Sequence, residues 1–188
     1  MAAVTDMLRK STDLKMKKGL EVMQKDFAAV RTGKASPALV ENLSVDYYGN
    51  PTRLRDIAGI TAPEPRLLVI QPWDQNAVKS IEKAIQASSL GISPVSDGRV
   101  IRLPIPELSE ERRRDLVKMV KARAEEARVE IRGVRRDANE AAKKAQKDSQ
   151  MTEDELALIT KEIQKFTDDA IKNVDNLLKG KETELMQG

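Results

Sequence analysis

Between residues 112 and 136 the chain carries eight arginines, Arg112, Arg113, Arg114, Arg123, Arg128, Arg132, Arg135 and Arg136, against two lysines, and after residue 140 every base is lysine. A guanidinium offers a phosphate two parallel N–H donors where an ammonium offers a point charge. A line of arginines on a rigid element therefore suits a nucleic-acid backbone. The stretch "EEARVEIRGVRRDANEAAKK", residues 125–144, holds six bases in twenty positions. On a helix centred on Ile131, Lys121, Arg128, Arg132 and Arg135 fall within about 40° to 100° on one side, with Arg114, Lys118 and Arg136 slightly further round. Glu126, Glu130, Asp137 and Glu140 fall on the back or the opposite flank, and Glu125 is the one acid inside the stripe. The competing reading is a solvated face salt-bridged to an acidic neighbour. Residues 112–147 hold 13 Lys and Arg against 6 Asp and Glu, and residues 148–188 hold 5 against 10.

Other chemistry is sparse. There is no Cys and no His, which removes thiolate nucleophiles, disulfides, imidazole bases and the commonest transition-metal ligands. Adjacent carboxylates such as Glu110 with Glu111, or Asp168 with Asp169, diverge by about 100° on a helix and have no convergent partner. We assign no catalytic residue, no metal site and no cofactor. No glycine loop that cradles phosphates is present. Tyr47, Tyr48 and Trp73 read as core or cross-strand packing in preference to base stacking.

The elements that must position the arginines follow from apolar spacing. Five aromatic residues in 188 leave a core of Leu, Ile, Val, Met and Ala, as in long helices. Met16, Leu20, Met23, Phe27 and Val30 line one face of a first helix, which Gly33 closes. "SEERRRDL" caps a second helix at Ser109, whose seam is Leu116, Val120, Ala124, Ala127, Ile131, Val134, Ala138, Ala141 and Ala145. From about 109 to 147 it would span ~55 to 60 Å. "MTEDE" opens a third, with Thr152 as cap, Glu155 three residues on, and a seam of Leu156, Ile159, Ile163, Phe166, Ala170, Val174 and Leu177. We expect an extended three-helix bundle formed by residues 1–30 and 107–188.

All eight prolines lie within residues 34–106. Residues 31–106 read as a small inserted α/β domain. "LSVDYYG" and "NPTRLRDI" form a strand, a turn at Asn50 and Pro51, and a returning strand. "RLLVIQPW" is a buried strand, and "NAVKSIEKAIQAS" puts Val78, Ile81 and Ile85 on one helical face. "DGRVIRLPIP" gives a turn and a last strand. Two connecting segments join the domains, and Val30, Gly33, Pro104 and Pro106 mark a hinge. The fold class is α+β. The amino terminus lacks an apolar signal region and no window approaches the ~18 apolar residues of a membrane span, so we expect a cytoplasmic protein with no membrane partner.

"RTGKASPALV" at 31–40, "VDYYGNPTRL" at 45–54, "LSEERRRDLVK" at 108–118, "VRRDAN" at 134–139 and the "KETELM" ending resemble, in order and spacing, the bacterial ribosome recycling factor family over essentially the whole chain. The resemblance implies an L-shaped monomer with roughly the outline of a tRNA. It further implies binding between ribosomal subunits after termination, contact with large-subunit ribosomal RNA, and subunit splitting with elongation factor G and GTP. Matched motif by motif, Arg31, Arg113, Arg132, Arg135 and Arg136 are the implied RNA contacts, to which the helical face adds Lys121 and Arg128. Lys34 stands where the family often has Arg, and Gly133 where it often has Asn. The alternative is a coiled-coil scaffold or chaperone-like rod that binds protein partners through an exposed apolar patch.

Overall fold

In the computed structural model, which describes residues 2–187, the chain forms four α-helices and six strands: α1 (Ala2–Ala28), β1 (Ser44–Tyr47), β2 (Asn50–Arg53), β3 (Ala58–Glu64), β4 (Leu67–Pro72), α2 (Val78–Ala87), β5 (Val95–Ser96), β6 (Ile101–Pro104), α3 (Glu110–Lys147) and α4 (Glu153–Gln187). They group into two compact units. One comprises Met1–Phe27 with Asp115–Thr183, the other Ala28–Arg114 with Glu184–Gly188. The divisions fall outside Val30, Gly33, Pro104 and Pro106, which all belong to the second unit.

The first unit is a helical bundle. Its helix α3 starts within the second unit, where Ser109 Oγ accepts the N–H of Arg112 at 3.2 Å. Thr152 and Glu155 satisfy each other's backbone N–H groups at the start of α4, at 3.2 and 2.9 Å. Leu116, Val120, Ala124, Ala127 and Ile131 are buried along α3 as their spacing requires. Further on, the seam departs from expectation: Ala142 is buried, Ala141 exposed and Val134 half-buried. At 100° per residue Ala142 lies about 20° from Ile131 and Ala141 about 80°, so the 4-then-3 step from Ala138 stays on the face and the 3-then-4 step leaves it. The α1 seam begins earlier than Met16, since Thr5 and Thr12 are buried with Met16, Met23 and Phe27, and Val4 and Leu8 pack against the core. On α4 Thr167 is buried where Phe166 is only partly so. Thr12 and Thr167 donate their hydroxyls to the carbonyls of Leu8 and Ile163, at 2.7 and 2.8 Å, which removes the cost of burying them.

The second unit is built on a β1–β2 hairpin and a four-stranded antiparallel sheet ordered β3-β4-β6-β5. Its core gathers Val45, Leu54, Leu68, Ile70, Ile101 and Leu103 with Val78, Ile81 and Ile85 of α2. The hairpin turn is Tyr48–Gly49, not Asn50–Pro51. Tyr47 pairs with Asn50, and the two loop residues have φ of 49° and 81°. A two-residue loop with both φ positive matches the strand twist, and Gly49 adopts it freely. Pro51 then sits in β2 opposite Asp46. Strands β3 and β5 carry no readable alternation in sequence. Tyr48 and Trp73 are exposed, contrary to the expected packing, while Tyr47 is partly buried against the core.

Candidate nucleic-acid interface

The basic side chains of α3 in the bundle unit have two different fates. Arg128 is largely covered, with 19% of its side chain exposed. Its Nη2 and Nε donate to Asp175 Oδ1 of α4 at 2.7 and 3.0 Å, and its Nη1 donates to Glu125 Oε2 at 3.0 Å. The bond to Asp175 is the main reason its pKa is raised above the ordinary guanidinium value. Arg123, equally covered, donates to Asp26 of α1, and that bond likewise raises its pKa. These two arginines tie α3 to both neighbouring helices. Lys121 Nζ lies 3.6 Å from Glu182 Oε1 of α4. Salt bridging to the acidic helix thus accounts for Arg128 and Lys121.

It does not account for the next turn and a half. Arg132, 47% exposed, reaches only Glu125 Oε1, at 3.2 Å through Nη1. Arg136, 73% exposed, has Asp137 at 3.8 Å, a separation that contributes almost nothing between solvated groups. Arg135 makes no ion pair among the described residues. Three guanidiniums within five residues therefore share little carboxylate. Glu125 stays ionised, its pKa lowered first by the hydrogen bond from Arg128 and then by that from Arg132. This shared carboxylate, the single acid of the stripe, is the organising residue that angular placement alone did not reveal.

In the second unit Arg31 and Arg113 both grip the segment that leads into α3. Arg31 Nη2 donates to the carbonyl of Pro106 at 2.9 Å, and its Nε is buried without a partner. Burial, then the nearby charge of Arg112, lowers its pKa. Arg113 Nε donates to Leu108 O at 3.3 Å, and its Nη1 donates to the carbonyls of Leu185 and Met186, at 3.5 and 3.3 Å, where α4 ends. These are the last carbonyls of a helix, which have no partner within it. Arg113 therefore acts as a cap. Gly33 takes the left-handed conformation, φ 84°.

Gly133 lies between Arg132 and Val134, and a methyl group there would meet no atom within 4 Å. Gly133→Ala should accordingly stabilise the bundle by about 1 kcal/mol, seen as a higher urea midpoint by far-ultraviolet circular dichroism. A lower midpoint would show that the helix needs glycine there.

The ribosome recycling factor family model matches residues 23–186. The chain belongs to the ribosome recycling factor family. Ribosome-recycling factors of Syntrophomonas wolfei and Pelotomaculum thermopropionicum are each 53% identical to it, over 94% and 96% of this chain and 95% and 97% of theirs. A solution structure of a ribosome recycling factor superposes with a TM-score of 0.79 at 40% identity, covering 98% of both chains. A second structure, at 48% identity and a TM-score of 0.68 over 96% of this chain and 98% of the other, belongs to models of the T. thermophilus ribosome recycling factor and the E. coli elongation factor G bound to the E. coli post-termination complex. The α+β class is shared with these ribosome recycling factors. The family is one of translation factors, and ribosome recycling is the step of protein biosynthesis that it serves.

Proposed function

We propose that this chain recycles ribosomes after termination by seating Arg132, Arg135 and Arg136 on the phosphates of large-subunit ribosomal RNA, and that elongation factor G with GTP then drives the subunits apart. The observation that carries the RNA contact is the near absence of carboxylate around these three guanidiniums, while Arg114, Arg123 and Arg128 of the same helix are held in ion pairs. Transfer of three such groups from water to phosphates displaces counterions and leaves no acid of the protein buried unpaired. Arg128 and Lys121 are positioning residues in this scheme: their contacts to α4 fix the face. Arg31 and Arg113 hold the approach to α3 and add positive charge there. The placing of a 48% identical relative on a post-termination complex together with elongation factor G supports the choice of partners.

The chain supplies binding and leverage, and the hydrolytic step belongs to the GTPase. We assign the lever to the domain of residues 31–106, pivoting at Val30, Gly33, Pro104 and Pro106. The left-handed backbone of Gly33 and the gathering of all eight prolines in residues 34–106 support that assignment. The place of action is the cytoplasm, where post-termination ribosomes are found. Light scattering of post-termination ribosomes mixed with this protein, elongation factor G and GTP should fall as subunits part. Scattering that stays level with all three present, under conditions where a ribosome recycling factor of the family lowers it, would overturn the reading.

A further inference from the structure

Two adjacent tyrosines of the second unit share one carboxylate. Tyr47 and Tyr48 meet edge to face, with centroids 4.6 Å apart and planes at 71°. Both hydroxyls donate to one oxygen, Asp74 Oδ2, at 3.1 and 2.7 Å, while Oδ1 accepts the N–H of Asn76 at 2.9 Å. Tyr48 is 69% exposed, and Trp73, adjoining Asp74 in the chain, is 71% exposed. A pocket of about 270 Å³ beside them is lined by Asp46, the two tyrosines, Asn76 and Ser80, among others, and by no basic side chain.

Two features mark this as more than a surface accident. Tyr48 holds φ at 49°, a region costly for a residue with a bulky side chain, in a turn position that Asn or Gly would fill without strain. Retention of the ring there places an aromatic edge and face over the pocket. Asp74 is also kept ionised, its pKa lowered first by the hydrogen bond from Tyr48. Negative ring faces beside two carboxylates attract a cation and repel phosphate.

We infer that the pocket lined by Asp46, Tyr47 and Tyr48, whose two phenol hydroxyls Asp74 holds, is a docking site for a Lys or Arg side chain in a basic segment of a protein partner. The cation lies over the tyrosine rings and its charge faces Asp46. A nucleic acid is the poorer occupant, because bases stacked on Tyr48 or Trp73 would bring their phosphates against Asp46 and Asp74. The site is independent of the arginine face of α3, so it stands or falls separately from the ribosomal RNA reading.

Trp73 is the only tryptophan in the chain, so its emission reports on this patch alone. Titration of the full-length protein with a short peptide of alternating Lys, Arg and Gly should shift that emission saturably, and an oligouridylate of equal length should leave it unchanged. Asp46→Lys should raise the half-saturating peptide concentration by roughly tenfold, since it replaces an attraction by a repulsion. Asp46 is exposed and makes no side-chain hydrogen bond or ion pair among the described residues, so folding should be untouched. Tyr48→Asn, which suits the turn, should abolish the shift while keeping the fold. A peptide response equal in all three proteins, no response in the parent, or a shift caused by the oligouridylate would each overturn the inference.

Discussion

Arg132→Ala combined with Arg135→Ala should weaken binding to post-termination ribosomes by roughly a hundredfold and flatten the dependence of log affinity on log salt by about two units. Each substitution removes one charge-assisted contact, worth about 1.5–3 kcal/mol when made to an ionised group, and one released counterion. The fold should not notice. Arg132 has one exposed partner at 3.2 Å and Arg135 has none among the described residues, so their combined loss costs little stability. Arg128→Ala is the contrasting control: it strands Asp175 and half of Glu125, so its effect should appear in unfolding before it appears in binding. Filter binding across a salt series reads both numbers. A double variant with parental affinity and slope would remove α3 from the RNA interface.

Leu185→Ala should destabilise the second unit by about 2–5 kcal/mol, the range for emptying a fully buried leucine site. The size is informative because Leu185 is two residues from the end of α4, where a helix normally frays. Here its side chain is fully buried, and Arg113 binds its carbonyl and that of Met186. Trp73 lies in the same unit, so its fluorescence during urea unfolding follows the relevant transition. The neighbouring Met186, which is exposed, should tolerate alanine within about 0.5 kcal/mol. A loss as small at Leu185 as at Met186 would mean that the last turn of α4 is not part of the core.

What the sequence made legible was local. Ser109, Thr152 and Glu155 announced two helix starts because a cap and its N–H partner are at most three residues apart. The apolar face of α3 was readable for the same reason, and failed at Ala141 only where two alanine spacings compete. Pairings over long distances were not legible. Arg128 meets Asp175 across 47 positions, and nothing near Arg128 distinguishes it from Arg132. The excess of arginine over lysine on α3 consequently has a second source: a planar fork can span Glu125 and Asp175 together, which an ammonium does less well. Tyr48 and Trp73 were misplaced because strand composition carries no information on which face a turn leaves open. The small strands β3 and β5 escaped notice because Gly59, Pro63 and two-residue length defeat alternation.

Glu125 accepts from Arg128 through one oxygen and from Arg132 through the other. In the proposed scheme Arg132 swings away to an outside phosphate, and the carboxylate is not orphaned, because Arg128 remains beside it. The helix therefore keeps its second arginine on a leash that can be slipped without leaving a debt of charge behind. Before contact the same leash restrains the guanidinium, so less side-chain freedom remains to be lost on arrival. Glu125, the lone acid in the basic stripe, is in this sense a holster for the group that leaves it.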